Sequence, residues 1–354
     1  MFARAKSKPV VGLDIGTSAV KAVELKANGK GYRVAAFGCE PLPPDSIVDG
    51  AIVDTAAVAG AIRQLFDRRP FKSREVAVSL SGSAVIVKKV NLPEMTDEEL
   101  ASSIYWEAEQ HIPFAIQDVH LDYEKLNPTA STPPGTMDVL LVAAKKEKIA
   151  GYTSVITQAG RVPVVVDVDV FALQNAYELN YGLDPHAVVV LLNAGASAMN
   201  INIVSGGQSV FTRDIPIGGN AYTEAVQKEL NLPFESAERL KRGEFVDGVA
   251  YQDALPAIHA MTDNVLLETQ KTFDFFKATA ASDRIDRVVL SGGAFQVEGF
   301  AEAIQDRFGA PVEVFEPFRT IAFDAEALGV PDVQRLAPAA AVAVGLALRK
   351  AGDR

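Results

Sequence analysis

The run VGLDIGTSAVKAVEL at Val11–Leu25 returns in weaker form as VLLNAGASAMNINIV at Val190–Val204. Aligned, Val11 falls on Val190, Leu13 on Leu192, Asp14 on Asn193, Gly16 on Gly195, Ser18 on Ser197 and Lys21 on Asn200. In each copy apolar residues alternate on both sides of a Gly-containing tip, the pattern of two strands joined by a tight turn. Hairpin tips favour Gly, Asn and Asp for conformational reasons alone. Here the match runs through both flanking strands, so each half of the chain is expected to open on the same strand–turn–strand unit. A chain of 354 residues also exceeds the roughly 100–200 residues of one usual domain. Together these features predict two lobes of like topology whose equivalent turns can face each other.

The remaining pattern alternates strands and helices, which indicates an α/β protein. A helix is expected over 55–68, strands over 76–80 and 84–92, and a helix from Thr96 to about Gln110, where Thr96 and Glu99 make a capping-box pattern. Strands over 119–126 and 137–144 are joined by NPTASTPPGT, an uncharged Pro/Ser/Thr/Gly segment expected to be a mobile loop. A helix near 147–159 and an apolar strand over 162–168 follow. The second half continues with a strand over 208–214, helices over 220–230, 235–243 and 253–279, a strand over 287–290, a helix after Gly299 and the Ala-rich helix LAPAAAVAVGLALRK. The expected organisation is a first-lobe core of 1–75, 163–187 and 335–354, an insert of 76–162, and a second lobe of 188–334 with a smaller subdomain near 216–280.

Composition excludes several functions. The formal net charge is −11, against the basic face that broad nucleic-acid binding needs. Cys39 is the single cysteine, and four scattered histidines give no metal-ligand spacing. No apolar run approaches the ~18 residues of a membrane span. The basic start with Arg4, Lys6 and Lys8 reads as a solvated tail, too sparsely charged for useful attraction to acidic lipid.

If the two tips face one another, their chemistry suits a nucleoside triphosphate. Gly16 and Gly195 let backbone approach an anion, and the N–H groups of Thr17, Ser18, Ala196 and Ser197 point at phosphate oxygens, with hydroxyls on Thr17, Ser18 and Ser197. Asp14 would repel phosphate unless a cation lies between, which points to Mg²⁺. Lys21 adds positive charge where its side chain turns inward. Three further features join them. Ser291-Gly292-Gly293-Ala294 follows an apolar strand, where backbone can approach a ligand at a sheet edge. Glu238 and Lys241 sit three apart on one helix face and are well typed for ribose or base contacts. Ala172 with Ala176, and Ala341 with Gly345, would let two helices cross closely as a hinge.

These five features in this order resemble the actin, sugar-kinase and heat-shock chaperone superfamily: LDIGTSAVK as first phosphate motif, VDVDVFALQNA as first connecting helix, LLNAGASAMN as second phosphate motif, LSGGAFQVEGF as adenosine motif, and the terminal helix as second connecting helix. The segment from Glu75 to about Val162 resembles the insert of the FtsA branch. Within that branch the segments VNLPEMTDEEL, SIYWEAEQHIPF and RDIPIGGNAYTEAVQKEL followed by AERLK are similar to the PilM family, the cytoplasmic actin-like proteins of type IV pilus assembly. The resemblance implies an actin-like (ribonuclease H-like duplicated) two-lobed fold and ATP with Mg²⁺ in the inter-lobe cleft. It also implies a groove beside the insert that takes the cytoplasmic N-terminal segment of PilN, and through it the PilO-containing inner-membrane complex.

Carried over by motif, the phosphate contacts are Gly16, Thr17, Ser18, Lys21, Gly195, Ala196 and Ser197, with Gly218 and Gly219 added through a helix N-terminus. Gly292, Gly293 and Ala294 meet adenosine, Glu238 and Lys241 the ribose and base, and Asp14 and Asn193 hold Mg²⁺ through water. Asn193 departs from the aspartate usual at that position and holds hydrated Mg²⁺ less strongly, so slow hydrolysis at most is expected. Asp167 and Gln174 are the candidates for a catalytic base. Three rivals are weaker: a kinase needs an acidic base beside a sugar-shaped polar pocket, an FtsA ends in a linker and an amphipathic anchor, whereas this sequence stops at Arg354 after the second connecting helix, and the actin-like domain of a type II secretion protein is expected to continue into a transmembrane helix.

Overall fold

The computed structural model describes residues 9–128, 132–246, 248–279, 284–330 and 332–353. The basic tail and the centre of the NPTASTPPGT joint, residues 129–131, lie outside the described residues. The chain opens on a meander of β1 (Val11–Ile15), β2 (Ala19–Asn28) and β3 (Gly31–Pro41), and a short hairpin, β4 (Ile47–Val48) and β5 (Ala51–Ile52), leads to α1 (Thr55–Arg68). Asp54 caps α1, its carboxylate accepting from the Ala57 N–H at 2.8 Å. After β6 (Glu75–Leu80) come β7 (Val85–Pro93), α2 (Asp97–Glu109), β8 (Val119–Lys125), β9 (Thr136–Lys145), α3 (Lys146–Gln158), β10 (Val162–Val168) and α4 (Asp169–Tyr181).

The second half repeats the plan. Its meander is β11 (Val188–Ala194), β12 (Met199–Ser205) and β13 (Gln208–Ile215). There follow α5 (Gly219–Leu230), α6 (Phe234–Lys241), α7 (Tyr251–Thr279), β14 (Arg287–Gly292), α8 (Phe300–Phe308), β15 (Val312–Val314), β16 (Ile321–Ala322), α9 (Val333–Ala339) and α10 (Ala341–Ala347). One sheet runs β10-β6-β1-β2-β3-β16 and the other β13-β12-β11-β14-β15. Read from the third strand of each meander, the orders coincide: β3-β2-β1-β6-β10 matches β13-β12-β11-β14-β15. In both halves the meander is antiparallel and the next two strands add in parallel. The duplication read from two hairpins therefore extends to whole sheets, and the fold is the actin-like one expected.

Alternation along each strand divides the core. Val11, Leu13 and Val20 pack with α1 and α3 on one face of the first sheet, while Leu192, Ile201 and Leu290 pack with α5, α6, α7 and α8 on the outer face of the second. Between the sheets lie α4 and α10, with Leu173 and Val344 buried against Val23, Val189 and Val289. Each such burial is worth about 1.5–3 kcal/mol. The two helices cross so tightly that a Cβ at Gly345 would overlap the Ala172 carbonyl, and one at Gly12 of β1 would overlap the Ala343 carbonyl of α10. The small residues expected at the helix crossing are in contact.

The insert is a three-stranded sheet, β7-β9-β8, with α2 on one face around Ile104, Val139 and Leu141. Thr96 and Glu99 close the capping box in full, Glu99 N–H to Thr96 Oγ1 at 3.2 Å and Thr96 N–H to Glu99 Oε2 at 2.8 Å. The insert sheet spans Val85–Lys145, narrower than the 76–162 read from sequence. β6 hydrogen-bonds to β1 and β10, and α3 packs its Tyr152, Val155 and Ile156 with α1, so both belong with the first sheet.

Candidate functional site

The two glycine tips meet. Gly16 and Gly195 each close their turn by donating to a carbonyl three residues on, Ala19 at 3.2 Å and Ala198 at 2.9 Å. Thr17 Oγ1 and Ser197 Oγ lie 2.7 Å apart, a direct hydrogen bond between the lobes. Strand register fixes what stands behind each tip, because Asp14 is directly opposite Lys21 and Asn193 directly opposite Asn200. Lys21 Nζ donates to Asp14 Oδ2 at 2.7 Å. Burial works against the Lys21 charge, but the adjacent Asp14 carboxylate more than offsets it and raises the pKa above its ordinary value. In the second half the ion pair is replaced by amides: Asn193 Nδ2 donates to Asn200 Oδ1 at 3.1 Å, and Asn200 Nδ2 to Asp214 Oδ1 at 2.7 Å. Asp214 Oδ2 then accepts from the Gly82 N–H at 2.5 Å. A polar chain thus runs from the second glycine tip across the lobes to the turn that starts the insert.

The remaining glycines converge on this point. A Cβ at Gly218 would come within 2.6 Å of the Gly195 and Ala196 carbonyls, and one at Gly195 within 2.8 Å of Ala198 O. Gly292 has φ +93° and abuts the Ala194 carbonyl, a conformation and closeness that only glycine takes without strain. Gly219 begins α5, and a Cβ there would touch Ala294 at 3.3 Å. Gly218 and Gly219, Gly195 to Ser197, and Gly292 to Ala294 are therefore one cluster of exposed or closely approached backbone. Such a cradle fits an anionic group followed by a flat one, as a nucleotide requires.

Glu238 and Lys241 lie beside that cluster, but their polar atoms are engaged with the protein. Lys241 Nζ donates to Gly219 O at 3.0 Å and Thr223 Oγ1 at 2.8 Å and pairs with Glu238. Glu238 also pairs with Arg242 at 2.6 Å. Burial opposes the Glu238 charge, yet Lys241 and Thr223 hold its carboxyl below the usual carboxylate range. The pair clamps the start of α5.

The structure corrects the choice of catalytic candidates. Asp167 and Gln174 do not join the tips: Asp167 pairs with Arg349 at 3.4 Å, and Gln174 donates to Glu178 at 2.8 Å and to Gly207 O at 3.2 Å. The acid that belongs to the cleft is Asp169, at the first position of α4, where it hydrogen-bonds Ser79 and Ser81. Burial and the neighbouring Asp14 charge push its pKa up to about 6. Strand alternation ends at Val168, so the side chain two residues beyond Asp167 turns elsewhere. Lys148 and Asp214 were also missed: Lys148 Nζ donates to Ser81 O, and burial lowers its pKa. The only sequence signal for Asp169 was its place beside Asp167 just ahead of an apolar helix.

Asp167 and Gln174 line a second feature, a cavity of about 1030 Å³ between the insert and the first lobe. Its insert wall is the sheet face opposite α2, where Leu140, Val142 and Ala144 of β9 stand beside His120–Lys125 of β8. Its other wall is Val166–Val168 of β10 with Phe171 and Glu178 of α4, and Gly207–Ser209 of the second lobe closes one side. β8 pairs only with β9, and β10 only with β6, among the described residues, so each strand presents a free edge.

Among the described residues no helix is long and apolar enough to cross a membrane. With 17% identity and a TM-score of 0.58, the ethanolamine utilization protein EutJ from Carboxydothermus hydrogenoformans, matched over 98% of this chain and 93% of its own, shares the fold. The cell division protein FtsA of Enterococcus hirae is 24% identical over 359 residues, 88% of this chain and 79% of that protein. A solved structure described as a PilM-PilN type IV pilus biogenesis complex is nearer: 31% identity, TM-score 0.85, 97% of this chain and 98% of the other. The family model for type IV pilus assembly protein PilM matches residues 12–351. That match spans both lobes, both tips and the insert, and the chain belongs to the type IV pilus assembly protein PilM family.

Proposed function

We propose that this protein is a nucleotide-holding scaffold of the type IV pilus assembly machinery, which grips the cytoplasmic N-terminal segment of PilN in the cavity beside the insert. The observation that carries this reading is the cavity itself, roofed by one free strand edge and floored near another. An extended peptide docks on such an edge by main-chain hydrogen bonds while alternate side chains enter the pocket. The solved relative is described as a PilM-PilN complex and aligns over 97% of this chain, which supports placing such a segment in the groove that this chain has beside its insert. Through that segment the protein would be recruited to the PilO-containing complex at the inner face of the inner membrane.

ATP is the nucleotide whose phosphates suit the N–H groups of Thr17, Ser18, Ala196 and Ser197, with adenosine toward Gly292–Ala294. Because Thr17 and Ser197 hydrogen-bond directly, a bound triphosphate needs the tips to part. Mg²⁺ would arrive with the phosphates: among the described residues no cluster of three or more acidic, His or Cys side chains is placed to hold a metal ion alone. Asp14 would orient its hydration shell with the oxygen that Lys21 leaves free, and Asn193 would contribute no charge. Bound Mg²⁺ would supply charge neutralisation for the phosphates, and Asp169, close enough to feel the Asp14 charge, would hold a proton there. Slow turnover follows from Asn193 and from the Lys21 ammonium beside Asp14.

The test is retention of the full-length protein on an immobilised PilN N-terminal peptide, with an insert-groove variant as control. Capture by the peptide, and loss of capture in the variant, is the expected result; no retention overturns the scaffold reading. In parallel, ATP with Mg²⁺ at about 100 times its dissociation constant should stabilise the fold by about 2.7 kcal/mol, and an unchanged melt at millimolar nucleotide removes the cleft assignment.

A further inference from the structure

The partner cavity is strongly acidic on the side chains left over from folding. Five carboxylates line it, Asp122 and Glu124 on β8, Asp167 and Glu178 beside α4, and Asp353, against two fixed cations, Lys125 and Arg349. Over the whole chain acids outnumber bases by only 45 to 34, so the imbalance belongs to this place. The two cations are committed as well. Lys125 Nζ lies 3.9 Å from Asp97, which is not a wall of the cavity, and Arg349 is divided between Asp167 at 3.4 Å and Asp353 at 3.9 Å.

Arg349 is shared by Asp167 and Asp353, and the other three acids have no cation partner: among the described residues no lysine or arginine lies within ion-pair distance of Asp122, Glu124 or Glu178. Asp122 accepts only its neighbour's N–H, from Tyr123 at 2.9 Å, and Glu178 accepts from the neutral amide of Gln174. Asp167 is 8% exposed, and its Oδ2, facing the Arg349 guanidinium at 3.4 Å, receives no hydrogen bond. A carboxylate that deep is costly unless a donor meets it. The apolar counterpart is Leu80, Val142, Val166 and Phe171 in the same cavity. Strand alternation explains the division on the insert side: Leu121 and Tyr123 point to the α2 core, so His120, Asp122 and Glu124 face the cavity.

We propose that the segment accepted here is an extended peptide in which at least one arginine or lysine alternates with apolar side chains, the basic group being read by Asp167 and Glu178 at the α4 end and by Asp122 and Glu124 along β8. This rests on the reading that the cavity holds a partner segment, and it adds the chemistry by which the segment is chosen. The seven residues of β8 give an edge of about 23 Å at roughly 3.3 Å per residue, room for a segment of similar length. Long-range attraction between the acidic rim and a basic segment would speed encounter and fade with salt.

The experiment measures binding of fluorescent peptides to the full-length chain at low and high salt. The probes are the PilN N-terminal segment, the same segment with each Arg and Lys replaced by Gln, and two seven-residue peptides of alternating Leu–Arg and Leu–Gln. Neutralising the basic residues is expected to weaken binding about tenfold or more, the loss of a charge-assisted hydrogen bond, and high salt should reduce only the share that the exposed rim acids Asp122 and Glu124 contribute. Asp167→Asn should weaken the basic peptides and leave the Gln peptides unchanged. Glu124→Gln on the exposed rim, which does not threaten folding, should do the same to a smaller degree. Equal binding of basic and neutral peptides, or equal binding to both variants and the parent, overturns the proposal. If the Leu–Arg peptide binds and the PilN segment does not, the charge reading stands and the PilN reading falls. Binding by neither ends both.

Discussion

Asp169 offers a quantitative test of how the cleft is built. Its pKa is about 6 in the folded chain against an ordinary 3.8, because burial and the Asp14 charge disfavour the carboxylate. An acid raised in this way binds its proton more tightly folded than unfolded, so stability falls as pH rises from about 4 to about 6 and the penalty stays in place above that window. A gap of about two pKa units at 1.36 kcal/mol each makes about 3 kcal/mol. Asp169→Asn removes the charge and retains an oxygen to accept from Ser79 or Ser81. The variant should therefore be more stable than the parent by up to about 3 kcal/mol at pH 8 and by almost nothing at pH 4. For a chain of 354 residues the unfolding entropy is roughly 0.7 kcal/mol/K, so the gain appears as a rise in Tm of about 4 °C. Melts followed by circular dichroism at the two pH values measure it. A lower Tm at pH 8, or the same gain at both pH values, refutes the argument that burial and Asp14 together disfavour this carboxylate. A gain in stability accompanied by weaker nucleotide binding would place the retained charge in the ligand's service.

Other perturbations follow from the same geometry. Lys21→Met leaves the part-buried Asp14 without its cation and should cost about 2 kcal/mol in urea unfolding, below the 3–5 kcal/mol of a fully buried pair. The same variant should make nucleotide binding more dependent on Mg²⁺ in titrations, and less dependence would count against an Asp14 metal role. Gly345→Ala drives a methyl into the Ala172 carbonyl and should cost at least about 1–3 kcal/mol by overpacking, readable as a drop in Tm. Asn193→Asp should raise the rate of phosphate release from ATP if the missing carboxylate limits it, and an unchanged rate would assign the deficit to another group.

The doubled architecture was legible because it is written locally. Gly16 and Gly195, with alternating strands around them, carry enough pattern to recover both meanders and the facing tips. The positions of α4 and α10 were legible through small residues at helical spacing. What was not legible depended on where one element stops or on partners far away in sequence. Asp167 and Asp169 look equivalent in VVDVDVF, but β10 ends at Val168 and α4 starts at Asp169, which sends one carboxylate to the groove and the other to the cleft. Ion-pair spacing put Glu238 and Lys241 on one face, but nothing near them reveals that Thr223 and the Gly219 carbonyl saturate Lys241. β6 and α3 read as part of the insert because they adjoin it in sequence; pairing with β1 and packing on α1 place them elsewhere. The acidity of the groove is likewise invisible along the chain, since its carboxylates come from β8, β10, α4 and the segment after α10.

The contact of α10 with Gly12 has a consequence for how the chain is made. β1 leaves the ribosome long before the helix that covers it at Ala343. At about 5–20 residues per second, roughly 15–65 s separate Ile15 from Ala341. Throughout that interval one face of the first sheet, with Val23, Leu25 and Phe37, has no helix from the C-terminal end to cover it. The first lobe therefore completes this part of its core only once α10 has been made, however early its own strands pair.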